Sequence, residues 1–171
     1  MDKFYEIQFG QLKDEVFLES LVPYDKQALK LGLFVPQPSL HTKVSEGHRF
    51  YNIIRFQDPF NFAISDGVYK ILNDSKVTGW SVYNIEIMGR SEKYFGFQVL
   101  GRAGEIKRPL ESGFITGYEL DFKSWDCSDI FCPLGTMSVF CTEKVRDILL
   151  KNKTTNLEFE DIRKVEWYSA K

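Results

Sequence analysis

Hydrophobic positions along the chain alternate with polar ones in short runs, and two helical stripes interrupt that alternation. Over Phe4–Phe9, Tyr5, Ile7 and Phe9 alternate with Phe4, Glu6 and Gln8, the period of a half-buried strand. A short helix is predicted from about Tyr24 to Leu31, with Pro23 at its start, Ala28, Leu29 and Leu31 on one side and Gly32 to stop it. The stretch 34–47 contains Pro36, Pro38, Ser39 and Gly47 and reads as an irregular loop. Strands follow at Arg49–Phe56 and Phe60–Ile64, with Asp58-Pro59 as a turn. The pattern then predicts a helix over Asp66–Asp74 and a strand over Trp80–Ile87. Tyr94–Leu100 and Phe114–Phe122 read as a further strand pair, with Gly101-Arg102-Ala103-Gly104 as a turn between them. A strand over Thr136–Cys141, a helix from Glu143 to about Lys151 and a strand over Leu157–Ile162 close the pattern.

The two strand–helix–strand stretches match each other at an offset of 77 positions. Ser65 falls on Thr142, Asp66 on Glu143, Val68 on Val145, Ile71 on Ile148 and Leu72 on Leu149. Between 64–85 and 141–162, six of twenty-two positions are identical, more than the roughly one or two that ordinary residue usage gives. The matches also agree with helix physics. Ser65 and Thr142 are hydroxyl caps, Asp66 and Glu143 put negative charge in the first turn, and each helix carries one apolar stripe at i, i+3, i+4. The expectation is an internal duplication. It predicts a single α+β domain over 1–171: a mixed or antiparallel sheet on which two similar β-α-β units, about 60–87 and 136–162, pack their helices.

Composition adds an aromatic excess of 15 Phe, 8 Tyr and 3 Trp, which favours sheet. The net charge of −2 offers no general attraction to nucleic acid, and no run of four or more Lys/Arg marks an anionic membrane patch. No apolar run approaches the ~20 residues of a membrane span, and the opening residues do not form a secretory signal. With three cysteines, Cys127, Cys132 and Cys141, the expectation is a cytoplasmic protein with reduced thiols.

The densest polar cluster runs from Glu119 to Phe131. Glu119, Asp121, Asp126 and Asp129 are interleaved there with Phe122, Trp125 and Phe131. Such a run builds a turn through carboxylate bonds to the backbone, or presents an acidic, aromatic surface to a partner. It does not follow the Ca²⁺-loop template, and the C-x4-C spacing of Cys127 and Cys132 lacks the second pair of a zinc site, so no metal or cofactor is expected. Arg102 lies in the one basic patch, 101–108, which lacks the ending of a phosphate-binding loop. It is a candidate partner for the acidic run. His48 with Asp126 and Asp129 leaves a small hydrolase as the enzymatic alternative.

The run Asp121-Phe122-Lys123-Ser124-Trp125-Asp126-Cys127-Ser128-Asp129-Ile130-Phe131, with Thr142-Glu143-Lys144-Val145, Ile148-Leu149 and Asn156-Leu157-Glu158-Phe159, resembles bacterial immunity proteins of polymorphic toxin systems. The turn 101–104 is similar to one in that group, and the resemblance covers about a third of the chain. Cys127 stands where that run leads one to expect glycine. The resemblance implies a non-enzymatic protein that neutralises a cognate toxin by direct contact. The partner-binding candidates are Trp125, Asp126, Asp129, Asp121, Glu119 and Arg102; the alternative is another protein- or ligand-binding regulatory module.

Overall fold

The computed structural model describes residues 3–107 and 112–169. In chain order the elements are β1 (Phe4–Gln8), β2 (Phe17–Ser20), α1 (Lys26–Lys30), β3 (Leu40–Glu46), β4 (Ile53–Phe56), β5 (Phe62–Ser65), α2 (Asp66–Asp74), β6 (Trp80–Ile87), β7 (Tyr94–Val99), β8 (Gly101–Ala103) and β9 (Gly113–Thr116). A single 3₁₀ turn (Phe122–Ser124) precedes β10 (Ile130–Pro133), β11 (Val139–Thr142), α3 (Glu143–Lys151), β12 (Glu158–Asp161) and β13 (Glu166–Ser169). The class is mixed α+β, mostly strand with three short α-helices.

Two larger sheets and one ribbon result. The first sheet is a closed barrel in the order β2-β3-β6-β7-β5-β4, with β4 returning to β2. The second is open, in the order β12-β1-β11-β10-β8. The ribbon pairs β9 with β13. Apart from β3, the two sheets are laid out alike. Both have two antiparallel strands flanking a central one, then a hairpin partner, then a parallel edge strand: β6-β7-β5-β4-β2 in one, β12-β1-β11-β10-β8 in the other.

Registers agree at the offset of 77. Ile53 pairs with Ile64, and Ile130 with Cys141. Both helices start after an extended cap residue, Ser65 or Thr142, and end before a residue at positive φ, Lys76 at 51° or Lys153 at 52°. Val77 N–H then closes on Leu72 O at 3.0 Å, and Thr154 N–H on Leu149 O at 3.0 Å. The strand β1 lies against β11 and β12 as β7 lies against β5 and β6. Lys3 meets Glu143 at 3.3 Å, and Lys93 meets Asp66 at 3.2 Å.

The joint between the sheets is reciprocal. Thr78, after α2, exchanges bonds with Asp129: Thr78 N–H donates to Asp129 Oδ2 at 3.0 Å, and Asp129 N–H donates to Thr78 Oγ1 at 3.0 Å. Thr155, after α3, does the same with Asn52, at 2.9 Å each way. Between them lies the main core, Ile53, Phe62, Ile64, Val68, Leu72 and Phe97 against Ile130, Val139, Cys141, Val145 and Leu149. The barrel encloses a second core with Leu18, Leu40, Ile54, Phe56 and Tyr83. The far face of the open sheet carries a third, Phe4, Phe131, Phe140, Leu120 and Ile162, covered by the chain after β8.

Several expectations need correction. The two strand–helix–strand stretches do not share one sheet: the first belongs to the barrel and the second to the open sheet, and in each a third strand separates the two. Residues 40–46 form β3 rather than loop. Leu40 and Thr42 bury one face, which the bracketing Pro36, Pro38 and Gly47 hid. β7 does not pair with β9; it lies between β5 and β6. The run 114–122 is strand only to Thr116 and then turns at Gly117, φ +84°. Residues 101–103 are strand β8, parallel to β10.

Candidate functional site

The carboxylates of the acidic run bind donors of this same chain. Asp121 Oδ1 accepts Lys123 N–H at 3.1 Å and caps the 3₁₀ turn. Asp126 accepts Arg102 N–H at 2.8 Å on Oδ2 and Ser128 N–H at 3.0 Å on Oδ1, so the 101–103 segment and this loop do touch. They touch through backbone, not through a bidentate ion pair: the Arg102 guanidinium donates to the carbonyls of Val99, Gly101 and Leu31 at 2.7–2.9 Å. Asp129 is the fastener between the sheets. Burial pushes its carboxyl up, but Lys144 at 2.9 Å and the Thr78 donors outweigh that and hold it below the usual carboxylate range. Asp126 is likewise pushed up by burial and pulled further down by Ser128 and Arg102. All four carboxylates are therefore engaged by this chain's own donors. Glu119, exposed as Asp126 also is, meets Lys107 at 2.5 Å.

The aromatic residues of the run do the opposite and line a surface. Trp125 is half-buried, donates its indole N–H to Ser128 O at 3.2 Å, and packs edge-on to Phe4 at 5.1 Å between ring centres. Phe122 stacks on Phe4 at 4.7 Å and remains partly exposed. With Tyr118, Leu120 and Ile162 these rings line an open, mostly apolar hollow of about 510 Å³, with Glu119 and Arg163 at its rim. Arg163 is bound to Asp161, whose carboxyl it pulls down to about 2. Of the six candidate residues, the structure brings Trp125 and Glu119 to this hollow, while Asp121, Asp126, Asp129 and Arg102 hold the loop that carries it. Phe4 and Ile162 were not linked to the run in sequence because they come from distant segments, and Tyr118 and Leu120, which flank Glu119, were not singled out among its acids. Phe122 was visible there only as an aromatic among acids.

Other sites of potential chemistry are dispersed. His48 faces Asp14 at 3.9 Å rather than Asp126 or Asp129, and His41 faces Glu86 at 3.4 Å. Burial raises the Cys132 thiol and pushes the Cys141 thiol up to about 12, away from the thiolate form a nucleophile needs. Cys127 is exposed at φ +63°, the left-handed conformation that glycine adopts freely. Among the described residues no group of three or more His, Cys, Asp or Glu is placed to hold a metal ion, and no helix is long and apolar enough to cross a membrane. In comparison with known proteins, no family model matches the chain and no curated protein matches it.

Proposed function

We propose that this chain is a non-enzymatic binding protein that neutralises a cognate toxin by direct protein–protein contact through the Phe4–Phe122–Trp125 hollow. The observation that carries the reading is an aromatic hollow left open on a rigid frame. Large flat side chains dominate binding energy at protein interfaces, and the capped Asp121–Asp129 loop presents them at low entropic cost. The resemblance to toxin-immunity proteins supplies the class of partner. The test is the affinity of the chain for the toxin domain encoded beside it. Phe122→Ala is expected to weaken binding about thirtyfold, and Asp121→Asn, which keeps the cap, to leave it nearly unchanged. Equal affinity of Phe122→Ala and the unsubstituted chain overturns the reading.

We also infer that the two halves of the frame descend from one duplicated unit. The coincident registers, caps and positive-φ exits support it, as does the reciprocal Thr78–Asp129 and Thr155–Asn52 exchange. That exchange is the arrangement of an isologous two-fold contact carried within one chain.

A further inference from the structure

The hollow lined by Phe4 and Ile162 has a counterpart in the barrel half. Phe4 lies opposite Thr142 on β11, and Tyr94 lies opposite Ser65 on β5, the residue equivalent to Thr142 at the offset of 77. The same offset carries Tyr118, Glu119, Ile162 and Arg163 onto His41, Thr42, Ile85 and Glu86. Tyr118 N–H donates to Ile162 O at 2.7 Å, so this segment runs beside the chain leaving β12 as His41 runs beside Glu86. Tyr94 and those four barrel residues line one space, an open hollow of about 580 Å³ between β3 and the β6–β7 hairpin. The residues of one hollow thus have their equivalents in the other, although the two were delimited by different sheets.

The floor keeps its chemistry in both halves. Ile85 stands for Ile162, and Tyr94 stands for Phe4, an aromatic ring in each case. A second ring covers the first from the segment that leads into an equivalent strand. Trp125, ahead of β10, lies 5.1 Å from Phe4, and Phe50, ahead of β4, lies 5.8 Å from Tyr94. The rim differs. Glu86 takes the place of Arg163, and Leu21 and Met88, at 48% and 63% exposure, supply the apolar edge that Phe122 gives the first hollow. A frame with an internal two-fold presents the same patch on each side of its axis, so a surface used by one half is repeated on the other. Apolar side chains left exposed around a concave surface mark a place that a partner covers.

We propose that the hollow of Tyr94, Ile85 and Met88 is a second docking site for the same protein partner, so that one chain holds two partner molecules, one on each half. The proposal rests on the reading of the Phe4–Phe122–Trp125 hollow as the partner-binding surface, and it adds a stoichiometry to that reading. The occupant follows from the equivalence: two hollows with one kind of floor accept the same apolar anchor, and their different rims set two affinities. The first hollow is the tighter, because Phe4, Phe122 and Trp125 offer more aromatic area than Tyr94 and Phe50 do.

The test is native mass spectrometry of the full chain titrated with the toxin domain encoded beside it. Two toxin molecules per chain are expected at saturation. Leu21→Asp/Met88→Asp puts two charges at exposed positions of the second hollow, so this variant is expected to fold. It should weaken the second binding event about tenfold and leave the first unchanged. Phe122→Ala should do the opposite, weakening the first event and sparing the second. Saturation at one toxin per chain overturns the proposal, and so does a second event that Leu21→Asp/Met88→Asp leaves untouched. A single event that Phe122→Ala weakens refutes the second site alone and keeps the toxin reading. No complex with the unsubstituted chain removes both.

Discussion

At the scale of single residues, the joint depends on one carboxylate. Asp129 accepts from Thr78 N–H, the Thr78 hydroxyl, Lys144 and Thr142. Its counterpart Asn52 makes the same exchange with Thr155 without a charge. Asp129→Asn is therefore expected to keep the joint and lose about 1 kcal/mol, and Asp129→Ala to lose about 2–3 kcal/mol by leaving donors unpaired, both read from chemical denaturation. The Asp129 carboxyl lies below its ordinary 3.8, so its stabilisation is fully present above that pH and is lost as pH falls through the folded value. The deficit of Asp129→Asn should accordingly be largest near neutrality and vanish in acid; a deficit that grows in acid would contradict the assignment. Cys127 gives the opposite case. Held at φ +63°, it pays a steric penalty that glycine lacks, and Cys127→Gly is expected to stabilise the fold by about 1 kcal/mol in the same measurement.

Among the elements, the turn after α2 tolerates little change. Gly79, φ +84°, lies so close to Ile130 O that an added Cβ would meet it at 2.0 Å. Gly79→Ala is expected to lower stability by about 2 kcal/mol or more, because backbone rather than a flexible side chain must move. The helices themselves were legible in sequence, since caps, apolar stripe and exit all lie within a dozen residues of one another. The strands were legible only where hydrophobic alternation was strong. β8 is Gly-Arg-Ala and carries almost no apolar signal, and β10 follows directly on the acidic loop. Trp125 could be singled out from its neighbours in sequence. The hollow it lines could not, because Phe4 and Ile162 reach it only through the pairing of β1 with β12.

For the molecule as a whole, the reciprocal joint predicts matched behaviour. Thr78→Val and Thr155→Val each remove one hydroxyl from equivalent exchanges and are expected to destabilise by similar amounts, about 1 kcal/mol apiece, with Thr78→Val the larger because its acceptor is charged. The open sheet behaves differently from the barrel. The Glu6 carboxyl is raised in the fold, so its contribution is fully present below the ordinary value of 4.5 and is lost as pH rises through the folded one. Glu6→Gln should thus be more stable than the unsubstituted chain at neutral pH, by no more than about 0.5 kcal/mol given solvent screening, and the gain should shrink toward pH 4 when thermal unfolding is followed across that range.

The placement of β1 also sets an order of assembly. During synthesis, β2 to β7 are complete once about 100 residues have emerged, so the barrel can close early, from contacts made within 17–99. β1 is made before any of this, yet both its partners, β11 and β12, emerge after residue 138. Until then it is an unpaired strand with apolar side chains, in a nascent chain whose first barrel is already formed. Refolding should therefore show an early phase that stacks Trp80 on Phe97 at the outer face of the barrel and a later one that buries Trp125 against Phe4, as β1 docks between β11 and β12.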